Sequence, residues 1–207
     1  MKNISRFTIA LAILMACAFA QAPAAPQFSA DTTLTGQRMP EPSKGKVFFD
    51  QGNMRMDMTT PQRGDMSIIH DFKNKTSYML MHDNKMYMEM TAGQGGRRGP
   101  RMQEIRALGE NPCADEEGVT CKKVAEETVN GRDCDKWEFA SSDPAKTRTE
   151  WIDKKLHVPV KTVFADSTFE LSNIQEGPQD KSRFEVPSDY QKLDPSMMGG
   201  QGRGPGL

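Results

Sequence analysis

Two stretches of this chain place methionine at alternate positions: Met54, Met56 and Met58 in NMRMDM, and Met86, Met88 and Met90 in KMYMEM. A thioether can do two kinds of chemistry. It is a soft, neutral ligand suited to Cu(I). It also ends an unbranched apolar chain that re-packs around greasy ligands of differing shape. Plain core filling is a third use of the same side chain. Met66, Ile68 and His70 make a similar alternate row between the two stretches. Met79 and Met81 alternate with Tyr78 and Leu80, so period alone assigns them no face.

Alternation has a direct geometric meaning, because residues i, i+2 and i+4 of a strand point to one face. Met54, Met56 and Met58 then share a face, with Arg55 and Asp57 on the other. Met86, Met88 and Met90 share a face, with Tyr87 and Glu89 opposite. The charged residues mark the wet side, so the methionines are expected inward. The period-two pattern predicts strands near 27–36, 44–50, 53–60, 65–72, 76–82 and 85–91, then near 119–129, 132–140, 147–154, 158–165 and 167–174. Asn130-Gly131 is a strong two-residue hairpin signal. Between the two groups lie a Gly/Arg-rich stretch, 91–101, and RMQEIRALGE, with Met102, Ile105 and Leu108 at helical spacing. That segment is expected to be a short amphipathic helix closed by Gly109. KSRFEVPSDYQKL reads as a docking segment with Phe184 and Val186 as anchors, and 193–207 as a Gly-rich disordered tail. Some eleven strands cannot stay flat and open. The expected fold is mainly β: an antiparallel, curved half-barrel wrapped around the short helix.

The N-terminus, MKNISRFTIALAILMACAFA, has a basic start at Lys2 and Arg6, a short apolar run and the small-x-small site Ala18-Phe19-Ala20. It reads as a secretory signal peptide, residues 1–20, placing the mature domain, 21–192, in the periplasm. Leu14 to Cys17 also resembles a lipobox, so a lipid anchor at Cys17 is the alternative. Export makes disulfides possible. Cys113 and Cys121 bracket the loop CADEEGVTC and are the preferred pair. Cys134, in a strand pattern, is expected as a buried free thiol, although three cysteines permit three single bridges. The cysteine spacing does not suit zinc.

The chain holds 27 basic and 28 acidic residues. That balance offers no general attraction to nucleic acid, and the Arg97, Arg98 and Arg101 stretch does not alter this. GQGGRRG lacks the preceding strand and the lysine of a phosphate loop. Neither a nucleophile motif nor a carboxylate pair across a cleft is present, so an enzyme and a resident cofactor are not expected. His70, His82 and His157 are isolated in sequence.

The succession FSADTTLTG, GKVFFDQGNMRMDM, IIHDFKNKTSYMLM, KMYMEM, EETVNGRDCDKWEF, TEWIDKKLHVPVKTVF, FELSNIQEG and RFEVPSDY resembles the LolA/LolB-like superfamily of periplasmic lipoprotein carriers, in a branch of exported proteins with that fold. The resemblance implies an unclosed barrel whose concave apolar face holds acyl chains beneath helices. It covers nearly all of the mature chain. The chain departs from the superfamily in having one helical segment rather than several, and in its 15 methionines. The reading is then a non-enzymatic, monomeric periplasmic carrier for a lipid or acylated protein, with possible envelope membrane contact. Its cavity would be lined by Met54, Met56, Met58, Met66, Ile68, Met86, Met88 and Met90, and closed by Met102, Ile105 and Leu108. The alternative is a periplasmic Cu(I)-binding protein using Met86, Met88, Met90 and His70, the last because it ends a methionine-facing row.

Overall fold

The structure is a computed structural model. It describes residues 26–193 apart from 38, 61–63, 92–110, 115–117 and 145. Twelve strands form one sheet: β1 (Phe28–Gly36), β2 (Ser43–Asp50), β3 (Asn53–Thr60), β4 (Gly64–Asp71), β5 (Thr76–Met81), β6 (Met86–Thr91), β7 (Thr120–Val129), β8 (Arg132–Ala140), β9 (Arg148–Asp153), β10 (Pro159–Val163), β11 (Ser167–Glu176) and β12 (Gln191–Lys192). The first eleven lie within two residues of the boundaries that the period-two pattern predicts.

The sheet order is β12-β6-β5-β4-β3-β2-β1-β11-β10-β9-β8-β7. It is two meanders, β1–β6 and β7–β11, joined where β1 pairs antiparallel with β11. Every pairing is antiparallel except β12 with β6. The sheet does not close into a barrel, in keeping with the open architecture expected. The β2–β3 link turns on Gln51 and Gly52, and the β7–β8 link on Asn130 and Gly131. All four have positive φ, the conformation a tight two-residue hairpin needs.

The core forms where the two meanders meet. Phe28, Val47, Phe49 and Met54 come from the first meander. Val158, Val160, Phe169 and Leu171 come from the second and its β9–β10 turn, and all are buried in one cluster. The Phe28 and Phe49 rings stack at 5.8 Å. Arg132 and Asp153 hold the second meander from the side. The guanidinium reaches both Asp153 oxygens, at 2.5 and 3.1 Å, and donates to Glu176 Oε1 at 2.7 Å. Asp153 also accepts from the amides of Lys155 and Leu156, tying down the β9–β10 turn. Burial by itself would raise the Asp153 carboxyl; the bonds from Arg132, Leu156 and Lys155 outweigh it and hold the group below the ordinary carboxylate value.

One free edge is β7, largely exposed and carrying Lys122, Lys123, Glu126 and Glu127, with a register break between Lys123 and Ala125. Charges and a bulge are the usual defence of an edge strand against further pairing.

Candidate functional site

Strand register decides which methionines share a face. Across β3 and β4, Met54 faces His70, Met56 faces Ile68 and Met58 faces Met66. Across β4 and β5, His70 faces Ser77, Ile68 faces Met79 and Met66 faces Met81. Across β5 and β6, Ser77 faces Met90, Met79 faces Met88 and Met81 faces Met86. Because cross-strand partners lie on the same side of a sheet, nine methionines share one face of β3–β6, alongside Phe49 and Val47 of β2. Met79 and Met81, which the sequence leaves unassigned, belong to it.

The face is graded in depth. Met54, Met56, Met66 and Ile68 are buried, with Met54 only 1% exposed. Met58 packs against the core cluster from its rim. Met79, Met81, Met86, Met88 and Met90 are half-buried. The apolar face therefore runs beyond the core onto the β5–β6 hairpin. His70 stands on this face, its ring 5.9 Å from Phe72 and its Nδ1 2.6 Å from Ser77 Oγ, with Ser77 between it and Met90. The proposed lid residues Met102, Ile105 and Leu108 lie outside the described residues, as do residues 1–20 with Cys17, Arg97, Arg98 and Arg101, and all but the first residue of the tail.

The reverse face is organised by the C-terminal segment. A 3₁₀ turn, Lys181–Phe184, is capped by Asp180 and packs over β3 and β4. The Arg183 guanidinium lies 4.3 Å from the Phe48 ring centre, and Arg55 Nη1 donates to the Arg183 carbonyl at 3.1 Å. The chain then pairs with β6 through the amides of Gln191 and Leu193, which donate to Lys85 and Tyr87 carbonyls. Phe184 and Val186, the anchors expected from sequence, are half-buried. Polar contacts share the fastening. Tyr190 OH meets His82 Nδ1 at 2.6 Å, and His82 Nε2 meets Ser67 Oγ at 2.6 Å. Ser67 Oγ also accepts from Arg55 Nη2 at 2.8 Å and donates to Asp57 Oδ1 at 2.6 Å. Arg55 is thus not a solvated outward charge: its side chain is 16% exposed.

A serine hydroxyl against an imidazole has the spacing of a nucleophile and its base. Ser67, however, is wholly buried, and Arg55, Asp57 and His82 occupy its hydrogen-bonding capacity. These bonds tie β3, β4 and the β5–β6 turn together. Beside it, a pocket of about 350 Å³ is lined by Lys44, Lys46, Arg55, Asp57, Asp65 and His82 among others. Most of this lining is polar, and Met58 and Met66 also border it. No sequence signal joined this network: Arg55 and Asp57 lie in NMRMDM and Tyr190 in RFEVPSDY, but nothing in those segments says that they meet.

Cys113 and Cys121 form the expected disulfide, which suits an oxidising compartment. Cys134 is free and buried. Burial, followed by the nearby Asp153 charge, pushes its thiol up to about 11. Phe139 is buried under the Arg148 guanidinium, 4.0 Å from its ring centre, while Trp137 is only half-buried.

A family model described as a domain of unknown function, DUF4412, matches residues 38–158, more than half of the 207-residue chain. The chain belongs to the DUF4412 family. None of the curated proteins matches it. Among solved structures, this DUF4412 chain is similar to MucB, with 11% identity over 83% of this chain and 61% of that one, at a TM-score of 0.52. It is likewise similar to the MucA/MucB complex structure from Pseudomonas aeruginosa, with 11% identity over 83% of this chain and 59% of that one, at 0.51. A LolA superfamily protein from Nitrosomonas europaea also matches, with 10% identity over 79% of this chain and 91% of that one, at 0.39. The open, mainly antiparallel sheet that the LolA/LolB-like resemblance implies is the architecture found. At such identities the likeness is one of fold. The DUF4412 chain spans about three fifths of the length of the MucB structures it matches.

Proposed function

We propose that this protein is a non-enzymatic carrier that holds the acyl chain of a lipid or acylated protein in the periplasm, after loss of residues 1–20. One observation supports this reading most directly: the methionine face continues past the buried core onto half-buried Met79, Met81, Met86, Met88 and Met90. Methionine there provides a lining that deforms around chains of different shape. Met102, Ile105 and Leu108 would close over the bound chain. The Cys113–Cys121 disulfide is compatible with this role.

Native mass spectrometry of the mature protein, purified from its own envelope, tests the reading. Co-purifying lipid is expected. Displacement of a fluorescent acyl probe by fatty acids should tighten about fourfold per added methylene, from ~0.8 kcal/mol of buried CH₂. Met88→Glu should abolish that binding while the circular dichroism spectrum stays unchanged. Absence of bound lipid together with affinity independent of chain length would rule the carrier reading out.

A further inference from the structure

The β5–β6 hairpin sets four methionines at the corners of one square. Met79 faces Met88 and Met81 faces Met86, and the two pairs stand two residues apart along the same strands. Neighbouring strands lie ~4.8 Å apart and alternate residues about 6.8 Å apart, so each Cα stands roughly 4 Å from the axis through the square's centre. A methionine side chain, with three rotatable bonds, is long enough to carry its sulfur toward that axis. All four side chains are half-buried, neither sealed in the core nor fully solvated. On the next strand, Met66 faces Met81 and is buried, giving the square an apolar floor on one side.

Four neutral sulfurs and no carboxylate select a soft ion of low charge. A divalent ion would keep both its charges beside apolar surface without compensation, which is costly. Among the described residues no group of His, Cys, Asp and Glu is arranged for a harder ion. Simple packing explains the arrangement poorly. At half-exposed strand positions valine, isoleucine or threonine fit the pleated sheet better, whereas the hairpin uses methionine at four adjoining sites.

We propose that Met79, Met81, Met86 and Met88 form a thioether site for one cuprous ion. This differs from a row along β6 ending at His70, because Ser77 separates His70 from Met90 and takes its Nδ1. The same four residues line the proposed acyl face, and substitution by leucine separates the two roles, because it keeps the apolar volume and removes the thioether.

The test uses lipid-stripped mature protein under anaerobic conditions, with Cu(I) alone as the probe and bicinchoninate as competitor. One equivalent is expected to bind. The variant Met79→Leu/Met81→Leu/Met86→Leu/Met88→Leu keeps the apolar volume and should lose about 100-fold or more in affinity. Met54→Leu/Met56→Leu should bind as the parent does. Should the fourfold variant fail to fold, peptide mapping of the parent after mild peroxide treatment gives a second readout: Cu(I) should protect the four hairpin methionines and no others. Parent affinity no greater than that of the folded leucine variant, or protection falling on other methionines, overturns the proposal.

Discussion

His82 and Tyr190, 108 positions apart in sequence, share a hydrogen bond of 2.6 Å between Nδ1 and the phenol oxygen. Through it the C-terminal segment is tied to the β5–β6 turn, and through His82 Nε2 to Ser67 in the sheet interior. The contact joins the last described strand to the first meander.

Tyr190→Phe removes only the hydroxyl of that contact. The expected cost is ~1 kcal/mol of global stability in urea. The amides of Gln191 and Leu193, which hold β12 on β6, should exchange faster in hydrogen-exchange mass spectrometry, with β1 and β2 amides unchanged. Uniform loss of protection across the sheet would show that the segment is not an independently fastened strap.

Arg132→Leu leaves the Asp153 carboxylate, 1% exposed, without its main charge partner. A loss of about 3–5 kcal/mol is expected from such an uncompensated buried charge. Restoring neutrality with Arg132→Leu/Asp153→Asn should recover part of it. A double variant no more stable than the single one would contradict the assignment.

The same carboxylate sets a pH dependence. Its folded-state value lies below that of the unfolded chain, so its contribution is complete above about pH 4 and is lost as pH falls through the folded value. Glu126, held at about 2 by hydrogen bonds from Lys123 and Lys154, also loses its charge only in acid. Thermal melts should therefore drop below pH 4, and Asp153→Asn should flatten that acid limb. A parallel acid limb in the variant would place the dependence elsewhere.

Gly45→Ala should destabilise through the backbone. A Cβ at this position would meet the Asp57 carbonyl oxygen at 2.2 Å and Thr32 Oγ1 at 3.0 Å. Strand β2 would have to shift from β3, costing about 1–3 kcal/mol by analogy with overpacked sites. Chemical denaturation measures it, and a neutral result would mean that the close approach relaxes freely.

Cys134 should resist thiol reagents. With its thiol pushed up to about 11 and the side chain 1% exposed, little thiolate exists at pH 8. Iodoacetamide should label it in 6 M guanidinium and not in the native protein. Native labelling at the unfolded rate would refute its burial.

Much of this protein is set by period alone. Alternation in NMRMDM and KMYMEM assigns the two faces of β3 and β6, because a strand has no other way to present its side chains. The Asn130-Gly131 turn and the strand boundaries are local for the same reason. The bracketing of CADEEGVTC likewise made Cys113 and Cys121 the favoured pair. What lies between strands is different. Met79 and Met81 took their face from pairing with Ile68, Met66, Met88 and Met86, and register is a contact between segments that no single segment encodes. Ser67, His82 and Tyr190 met only because the chain returned to pair beside β6. Alternation alone makes Arg55 an outward charge, yet that returning segment covers it. The hydrophobic alternation of one strand says which side is dry; which residues stand together on that side depends on how twelve strands are ordered and aligned.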